Sequence, residues 1–318
     1  QMCIRDSISS SLESKLNSFF DDKNYKKLYN HVKYFTYQGE AMPYTGYGKN
    51  FRLIRKQKGL PLSYFQRVGI DKIGLSRFER GLSMMGFEKV DVMLQEMNVS
   101  LAEYELVINH FVPDFQEEFL FEVEEADFAQ DEKKLKSLYK EAKESGFSYL
   151  ALSVKSRFEK LTLSEINFVV KLLTEVTSWG YFELSIAYFV LDNLDTLTIQ
   201  SLMSNFEQKN QNYFGIYKYR RRIFQIFYRA LVILSSRGEK KLSQQILKMI
   251  EKPNRAGIDL YLEVLHKMAI GFYNYSFVDE NEGLAEIRNG LAIFDLLGQE
   301  KLKDFYGKRN KHFLNKNL

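Results

Sequence analysis

Apolar residues recur at helical spacing through most of the chain. Ile166, Val169, Val170 and Leu173 follow the i, i+3, i+4, i+7 pattern of an amphipathic helix. Only four prolines occur among 318 residues, and turn dipeptides of the kind that separate β-strands are few. The pattern therefore predicts an all-α protein. Its longer predicted helices are residues 166–179, 181–194, 213–236, 258–275 and 284–297.

The C-terminal part of the chain is predicted to be a stack of helical hairpins. From residue 135 onward, pairs of predicted helices recur at roughly 40 to 60 residues, a period typical of helical repeats. The strict tetratricopeptide consensus is missing, so we predict a tetratricopeptide-like α-solenoid over residues 135–318.

Residues 46–112 contain five shorter predicted helices. Gly59 and Gly81 are placed to end the first and the third, and Asp71 is placed as the N-cap of the third, Lys72 to Arg80. The fourth and fifth are predicted over residues 83–98 and 101–111. The predicted core of this small domain includes Phe51, Phe65, Val68, Val90, Val92, Met93, Leu94, Leu106 and Val107.

Two further segments complete the chain. Residues 1–45 are interpreted as an N-terminal extension that is partly helical, from Leu12 to Tyr34, or partly an artefact of gene calling. The first seven residues, QMCIRDS, lack the apolar core of a signal peptide. Residues 113–134 form an acidic connector. We interpret this connector as a solvated helix, with a flexible linker as the alternative.

The charge of the chain is concentrated in short stretches. Between Lys49 and Arg80 there are nine Lys or Arg residues and two acids, whereas Pro113 to Glu132 carries nine acids and no Lys or Arg. The net charge of +4 is too small to indicate a nucleic-acid partner by itself. A basic stretch on short helices does favour one, because Lys and Arg neutralise phosphates.

The basic stretch has the layout of a helix-turn-helix. In that motif the second helix lies in the major groove of double-stranded DNA, and its first residues reach the base edges. Side chains on the flanks contact phosphates. The candidate base-reading positions are Lys72, Ile73 and Gly74, with Ser76 and Arg77 one turn later, and the candidate phosphate contacts are Lys49, Ser63 and Tyr64. For Arg77 two interpretations stay open, a contact to phosphate and a place in the internal scaffold. Gly74 has no side chain to read a base. For the whole basic region, the alternative interpretation is a helical bundle that contacts only protein.

Lys49 to Gly81 closely resembles the N-terminal domain of the Rgg/GadR/MutR branch of phage-repressor-like (XRE-type) regulators. The matching features are Arg55 followed by Gly59, the 17 residues between Gly59 and Arg77, and RFERG at 77–81. The resemblance implies a five-helix, lambda-repressor-like DNA-binding domain. It also implies that Arg55 and Glu79 form a structural ion pair rather than contacts to DNA.

The resemblance continues into the second domain. Leu161 to Leu194 is similar to the opening of the Rgg regulatory domain, including the Trp-Gly-x-aromatic-Glu junction at Trp179 to Glu183. Members of this family often dimerise and bind short secreted peptides that act as pheromones, so the resemblance implies both properties here. Family members often carry Asn where this chain has Phe189, which implies that one polar peptide contact is absent.

Three consecutive arginines are the candidate peptide-binding residues. An extended peptide needs donors for its backbone and carboxylate, and a concave helical stack with exposed Arg side chains provides them. The candidates are Arg220, Arg221 and Arg222. For any two of the three, the alternative interpretation is the solvated basic face of one long helix.

The sequence gives little support for an enzyme, a metal-binding site or a membrane-spanning protein. His31, His110, His266 and His312 are scattered without metal-ligand spacing, and no P-loop, dinucleotide fingerprint or nucleophile elbow occurs. Cys3 is the single cysteine, and no run of about 18 apolar residues appears. We therefore predict a cytoplasmic protein that is not an enzyme, without cofactor, metal or membrane partner.

Together these features predict a homodimeric, sequence-specific transcription regulator that binds double-stranded DNA and is controlled by a short signalling peptide. The alternative hypothesis is a helical-repeat adaptor between proteins, in which the helix-turn-helix domain is vestigial.

Overall fold

The computed structural model describes residues 45–108, 115–209, 215–251 and 259–314. Within these ranges the chain forms α-helices and two 3₁₀ helices and contains no strand, so the predicted all-α fold is confirmed. No helix in the same ranges combines the length and the apolar character that crossing a bilayer requires. The N-terminal extension and its predicted helix from Leu12 to Tyr34 lie outside the described residues.

The chain divides into two compact units, with the boundary between Phe119 and Leu120. The first unit contains five short helical elements up to residue 108, and only the second of them differs in type from the prediction, because it is a 3₁₀ helix. In order they are α1 (Thr45–Gln57), the 3₁₀ helix Leu62–Val68, α2 (Lys72–Glu79), α3 (Phe87–Glu96) and α4 (Leu101–Ile108).

Aromatic rings occupy the centre of the first unit. Phe51 and Phe65 are fully buried, and the ring centroid of Phe51 lies 5.9 Å from those of both Phe65 and Phe78. Two predicted core positions are wrong, because Val92 is 40% and Leu106 is 42% exposed. On α3 the buried positions are 90, 93 and 94, which leaves position 92 on the outer side of the helix.

The second unit continues as a succession of helices. These are α5 (Phe115–Phe128, which begins before the boundary), α6 (Glu132–Glu144), α7 (Ser148–Lys155), α8 (Leu163–Glu175), α9 (Tyr181–Val190), the 3₁₀ helix Leu191–Asn193, α10 (Thr196–Lys209), α11 (Tyr217–Ser236), α12 (Lys240–Glu251), α13 (Leu260–Phe277), α14 (Glu280–Leu296) and α15 (Glu300–Leu314). Neighbours in sequence pack together, as α6 does on α7 and α13 on α14, while α11 also packs on α9 and α13. This pairwise packing is what a helical-repeat domain requires.

The acidic segment differs from its interpretation as a solvated connector. Leu120 and Val123 on α5 are buried, and so is Asp127, whose carboxylate accepts a hydrogen bond of 2.9 Å from Arg157 Nε. From Leu120 onward α5 therefore belongs to the interior of the second unit. For this part of α5 charge density alone predicted the wrong environment, because Glu124 and Asp127 pair with arginines that are distant in the sequence.

The junction at Trp179 to Glu183 is explained by two hydrogen bonds. The indole Nε1 of the fully buried Trp179 donates to the carbonyl of Leu173, over 2.8 Å, in the last turns of α8. The carboxylate of Glu183 accepts from the backbone N–H of Gly180, also over 2.8 Å, and so caps the start of α9. Together the two bonds fix the turn between α8 and α9.

Helices α13 and α14 approach each other closely at glycines. Gly283 is buried on α14, and a Cβ at this position would overlap the backbone nitrogen of Tyr275 on α13. A side chain at Gly283 would therefore push the two helix backbones apart.

We predict that Gly283→Ala lowers the free energy of unfolding by about 1–3 kcal/mol, the usual cost of overpacking. Gly307→Ala is the matched control, because Gly307 is also helical but a Cβ there would meet nothing within 4 Å. The control should be neutral or stabilised by up to about 1 kcal/mol. Urea denaturation followed by circular dichroism measures both, and equal losses would contradict the close approach.

Candidate functional site

The N-terminal end of α2 presents a row of side chains to solvent. Asp71 is its N-cap, and one carboxylate oxygen accepts the backbone N–H of Gly74 over 2.5 Å. Leu75 and Phe78 on the opposite side of the helix are buried in the core. We call the outward row the α2 ridge. It consists of Lys72, Ile73, Ser76 and Arg77, of which Ser76 is half-buried and the other three are exposed.

Gly74 is half-buried beneath the capping carboxylate of Asp71. A Cβ at this position would lie 2.5 Å from Asp71 Oδ2, so any side chain would have to displace the cap. The backbone of Gly74, rather than a side chain, is what this position offers to a partner.

The three predicted phosphate contacts have different surroundings. Lys49 on α1 and Ser63 on the first 3₁₀ helix are exposed. Tyr64 is half-buried, with Arg67 stacked 4.0 Å from the centre of its ring and donating to its hydroxyl. Arg67 also pairs with Glu96. Sequence analysis missed Arg67, although its position three residues after Tyr64 was the available signal.

A buried ion pair joins α1 to the last turn of α2. Arg55 Nε donates to Glu79 Oε1 over 2.5 Å and Arg55 Nη2 donates to Oε2 over 2.7 Å. The side chains are 8% and 4% exposed. These hydrogen bonds hold the pKa of Arg55 above its ordinary value, against the opposing effect of burial. The two residues are thus structural partners and are withdrawn from the surface that the α2 ridge forms.

We predict that Glu79→Gln lowers the free energy of unfolding of the first unit by about 3–5 kcal/mol, because Arg55 is left buried without its counter-charge. Glu96→Gln is the control, since it removes the carboxylate of the Arg67 pair, whose side chains are 55% and 28% exposed. This exposed pair should contribute about 0–1 kcal/mol. Chemical denaturation compares the two, and a similar loss in both variants would argue against a special role for the buried pair.

The structure separates the three candidate arginines of α11. Arg220 is half-buried, Arg221 is exposed, and both line a cavity of about 20 Å³ together with Tyr217 and Asp259. The prediction that Arg222 binds a peptide is wrong, because its side chain is only 3% exposed and pairs with Glu124 on α5. Its Nη1 and Nη2 donate to that carboxylate over 3.1 and 3.0 Å. Arg222 is therefore part of the interior and faces no ligand from solvent.

Phe189, which stands where family members often carry Asn, is fully buried. Its backbone carbonyl accepts hydrogen bonds of 2.9 Å from Ser156 Oγ and 3.1 Å from Arg157 Nη1. The position thus supports the packing of α7 against α9, and its side chain is not on a binding surface.

A second charged cluster surrounds Asp192, next to the end of α9. Its carboxylate accepts from Arg229 on α11, from Arg309 on α15 over 2.7 and 3.0 Å, and from Arg157 over 3.4 Å. Burial raises the pKa of Asp192, but the guanidinium groups of Arg229 and Arg309 outweigh it and hold the pKa well below its usual range. Sequence analysis missed this cluster because its members lie on separate elements and share no local motif.

Metal binding has no structural basis in the part of the chain that the structure describes. No group of three or more His, Cys, Asp and Glu side chains is arranged there to hold a metal ion.

Comparison with known proteins places these features in context. Residues 122–308, more than half of the chain, match the C-terminal domain of the HTH-type transcriptional regulator Rgg. The crystal structure of the SHP pheromone receptor Rgg2 from Streptococcus dysgalactiae has 20% sequence identity and a TM-score of 0.67, and the match covers 84% of this chain and 99% of that one. The complex of PrgX with cCF10 has 12% identity and a TM-score of 0.61, with 86% and 93% covered.

A shorter similarity links the chain to the antitoxin PezA from Streptococcus pneumoniae serotype 4. The two sequences are 40% identical over 57 residues, which is 18% of this chain and 36% of the antitoxin. The chain thus spans about a third of that relative's length.

Proposed function

Because this chain belongs to the Rgg family of HTH-type transcriptional regulators, we propose that it binds specific DNA sequences as a homodimer under the control of a short peptide. The observation that carries the proposal is the α2 ridge, a cationic and apolar row at the start of a helix whose other side is fixed in the core. The peptide is proposed to bind in the second unit.

The composition of the ridge suits the major groove. Lys72 and Arg77 offer cationic donors for phosphates or for guanine edges, and Ile73, 75% exposed, offers apolar contact to a thymine methyl. Lys49 and Ser63 are exposed on neighbouring elements and are proposed as phosphate contacts that set the register. A surface of this kind binds DNA with an affinity that falls as salt concentration rises.

Dimerisation would present two copies of the ridge to two half-sites. In helix-turn-helix dimers the half-sites lie one helical turn apart, roughly 34 Å, or a multiple of that distance. We therefore propose an operator with two-fold symmetry at that spacing.

Peptide control is supported by the relatives and by Arg220 and Arg221. The Streptococcus dysgalactiae Rgg2 is a pheromone receptor, and PrgX forms a complex with cCF10. In this chain Arg220 and Arg221 line a cavity beside Tyr217, where they offer donors to a peptide backbone or carboxylate. A peptide alters DNA binding only if it has unequal affinity for two conformations of the protein.

The alternative is an adaptor between proteins that has lost useful DNA binding. The observation that favours it is the Gly74 position, which offers no side chain to a base. The two functions differ in a direct way, because an adaptor gives neither a shift of promoter DNA in a gel nor a steep dependence of affinity on salt.

We predict that Lys72→Glu with Arg77→Glu reduces affinity for promoter DNA by at least about 30-fold, since each reversed contact costs roughly 1–3 kcal/mol. The variant should remain folded and dimeric, as sedimentation and circular dichroism will report. Lys140→Glu with Lys171→Glu is the matched control, because it reverses two exposed lysines of the second unit.

Gel shifts on promoter fragments at several salt concentrations compare these variants with the original protein. If the two double variants bind DNA with equal affinity, the α2 ridge is not part of the DNA interface. Unfolding of the first double variant would mean that Lys72 or Arg77 supports the fold instead.

We predict that a synthetic peptide encoded by a short open reading frame beside the gene changes affinity for promoter DNA by at least about fivefold, the lower end of typical coupling between sites. Fluorescence anisotropy of labelled DNA measures the change, with a scrambled peptide as control. Arg220→Ala with Arg221→Ala should weaken the effect of the peptide while leaving DNA affinity without peptide unaltered. If no candidate peptide has an effect, peptide control is excluded.

A further inference from the structure

Cationic groups outnumber carboxylates in the cluster around Asp192. Arg157, Arg229 and Arg309 meet two carboxylates, those of Asp192 and Asp127, within the described residues. The ring of Tyr188 faces Arg229, with its centre 4.8 Å from the guanidinium carbon, and this contact is weaker than an ion pair. The cluster therefore carries an excess of positive charge in a buried place.

One donor of this cluster is left without an acceptor. Arg229 is 5% exposed, and its Nη1 has no hydrogen-bond partner among the residues that the structure describes. A buried cationic donor without an acceptor is costly, and such a group calls for an explanation. The neighbouring Arg309 responds to the same excess of positive charge. Burial and then repulsion from Arg229 lower the pKa of Arg309 below its ordinary value.

Both arginines line a partly open cavity of about 40 Å³ between α9, α11, α13 and α15. One water needs roughly 10–15 Å³ of such volume, so the cavity has space for about three waters. The same space would hold a carboxylate with one or two further carbons. The wall is mixed, because the arginines share it with Asn310, Gln225, three tyrosines and several apolar side chains. The apolar wall includes Val232, Leu265, Met268, Ala269 and Phe272.

We infer that this cavity is a binding site for a carboxylate on a short apolar group, held by Arg229 and Arg309. The anion supplies the acceptor that Arg229 Nη1 requires and balances the excess charge, while its carbon atoms contact the apolar wall. Two sources share this chemistry: a free short-chain carboxylate, or the carboxylate end of a peptide. In the second case the site deepens the proposed peptide control and rests on it, whereas in the first it is independent of it.

The first experiment uses the full chain without DNA. Sodium propionate should raise the melting temperature and bind in calorimetry, whereas propionamide, which has the same shape but no charge, should do neither at the same concentration. Ala269→Val fills the cavity away from the arginines and should weaken propionate binding at least tenfold. N-acetyl-Val-Ala with a free carboxylate, compared with its C-terminal amide, tests the peptide source.

A second variant tests the charge excess without any ligand. Asn310→Asp adds a carboxylate of nearly the same shape to the cavity wall, so it should raise the melting temperature and abolish propionate binding. Asn310→Leu is the matched neutral control and should not raise it.

Binding of propionate, or of the peptide acid but not its amide, supports the site and identifies the source. The inference is overturned if the acids and their amides behave alike, or if Asn310→Asp destabilises the protein as much as Asn310→Leu. Neither readout involves DNA, so failure here is distinct from failure of the promoter-binding experiments.

Discussion

The ion pair between Arg55 and Glu79 is the interaction on which the α2 ridge, the proposed DNA-binding surface, depends. Helix α2 has only eight residues, too few to be stable alone in water. Its conformation is imposed from one side, by Leu75 and Phe78 in the core and by Glu79 held in two hydrogen bonds to Arg55 on α1. The opposite side is thereby free to carry Lys72, Ile73 and Arg77 in solvent.

Local patterns were sufficient to predict most of the fold. Helical periodicity and glycine stops predicted the helices, and the spacing from Arg55 to the RFERG segment carried the resemblance that implied the ion pair. Most of what local patterns missed depends on contacts distant in sequence. Arg222 resembled a solvated residue because Glu124 is 98 positions away, and the acidic segment resembled a connector for the same reason. The close contact between Gly74 and the Asp71 carboxylate depends on the exact geometry of the helix cap, which the residue types alone do not predict.

Buried charge is the feature that distinguishes the second unit. Arg157, Arg222 and Arg229 are enclosed by helices and form ion pairs with Asp127, Glu124 and Asp192, whereas a composition rule would place all six on the surface. Buried ion pairs contribute little net stability, but removing one partner destabilises the fold strongly because the other charge is left buried without compensation. A helical-repeat unit with such an interior is well suited to respond to a charged ligand, because a single added carboxylate changes the balance among several helices.

The central claim is that the start of α2 lies against DNA bases, and photo-crosslinking tests it most directly. A photoreactive benzoylphenylalanine replaces Ile73 in one variant and Leu163 in another, since both positions are 75% exposed but lie in different units. With promoter DNA, the account predicts crosslinks to bases from position 73 and none from position 163. Absence of crosslinks from position 73, or equal crosslinking from the two positions, would contradict it.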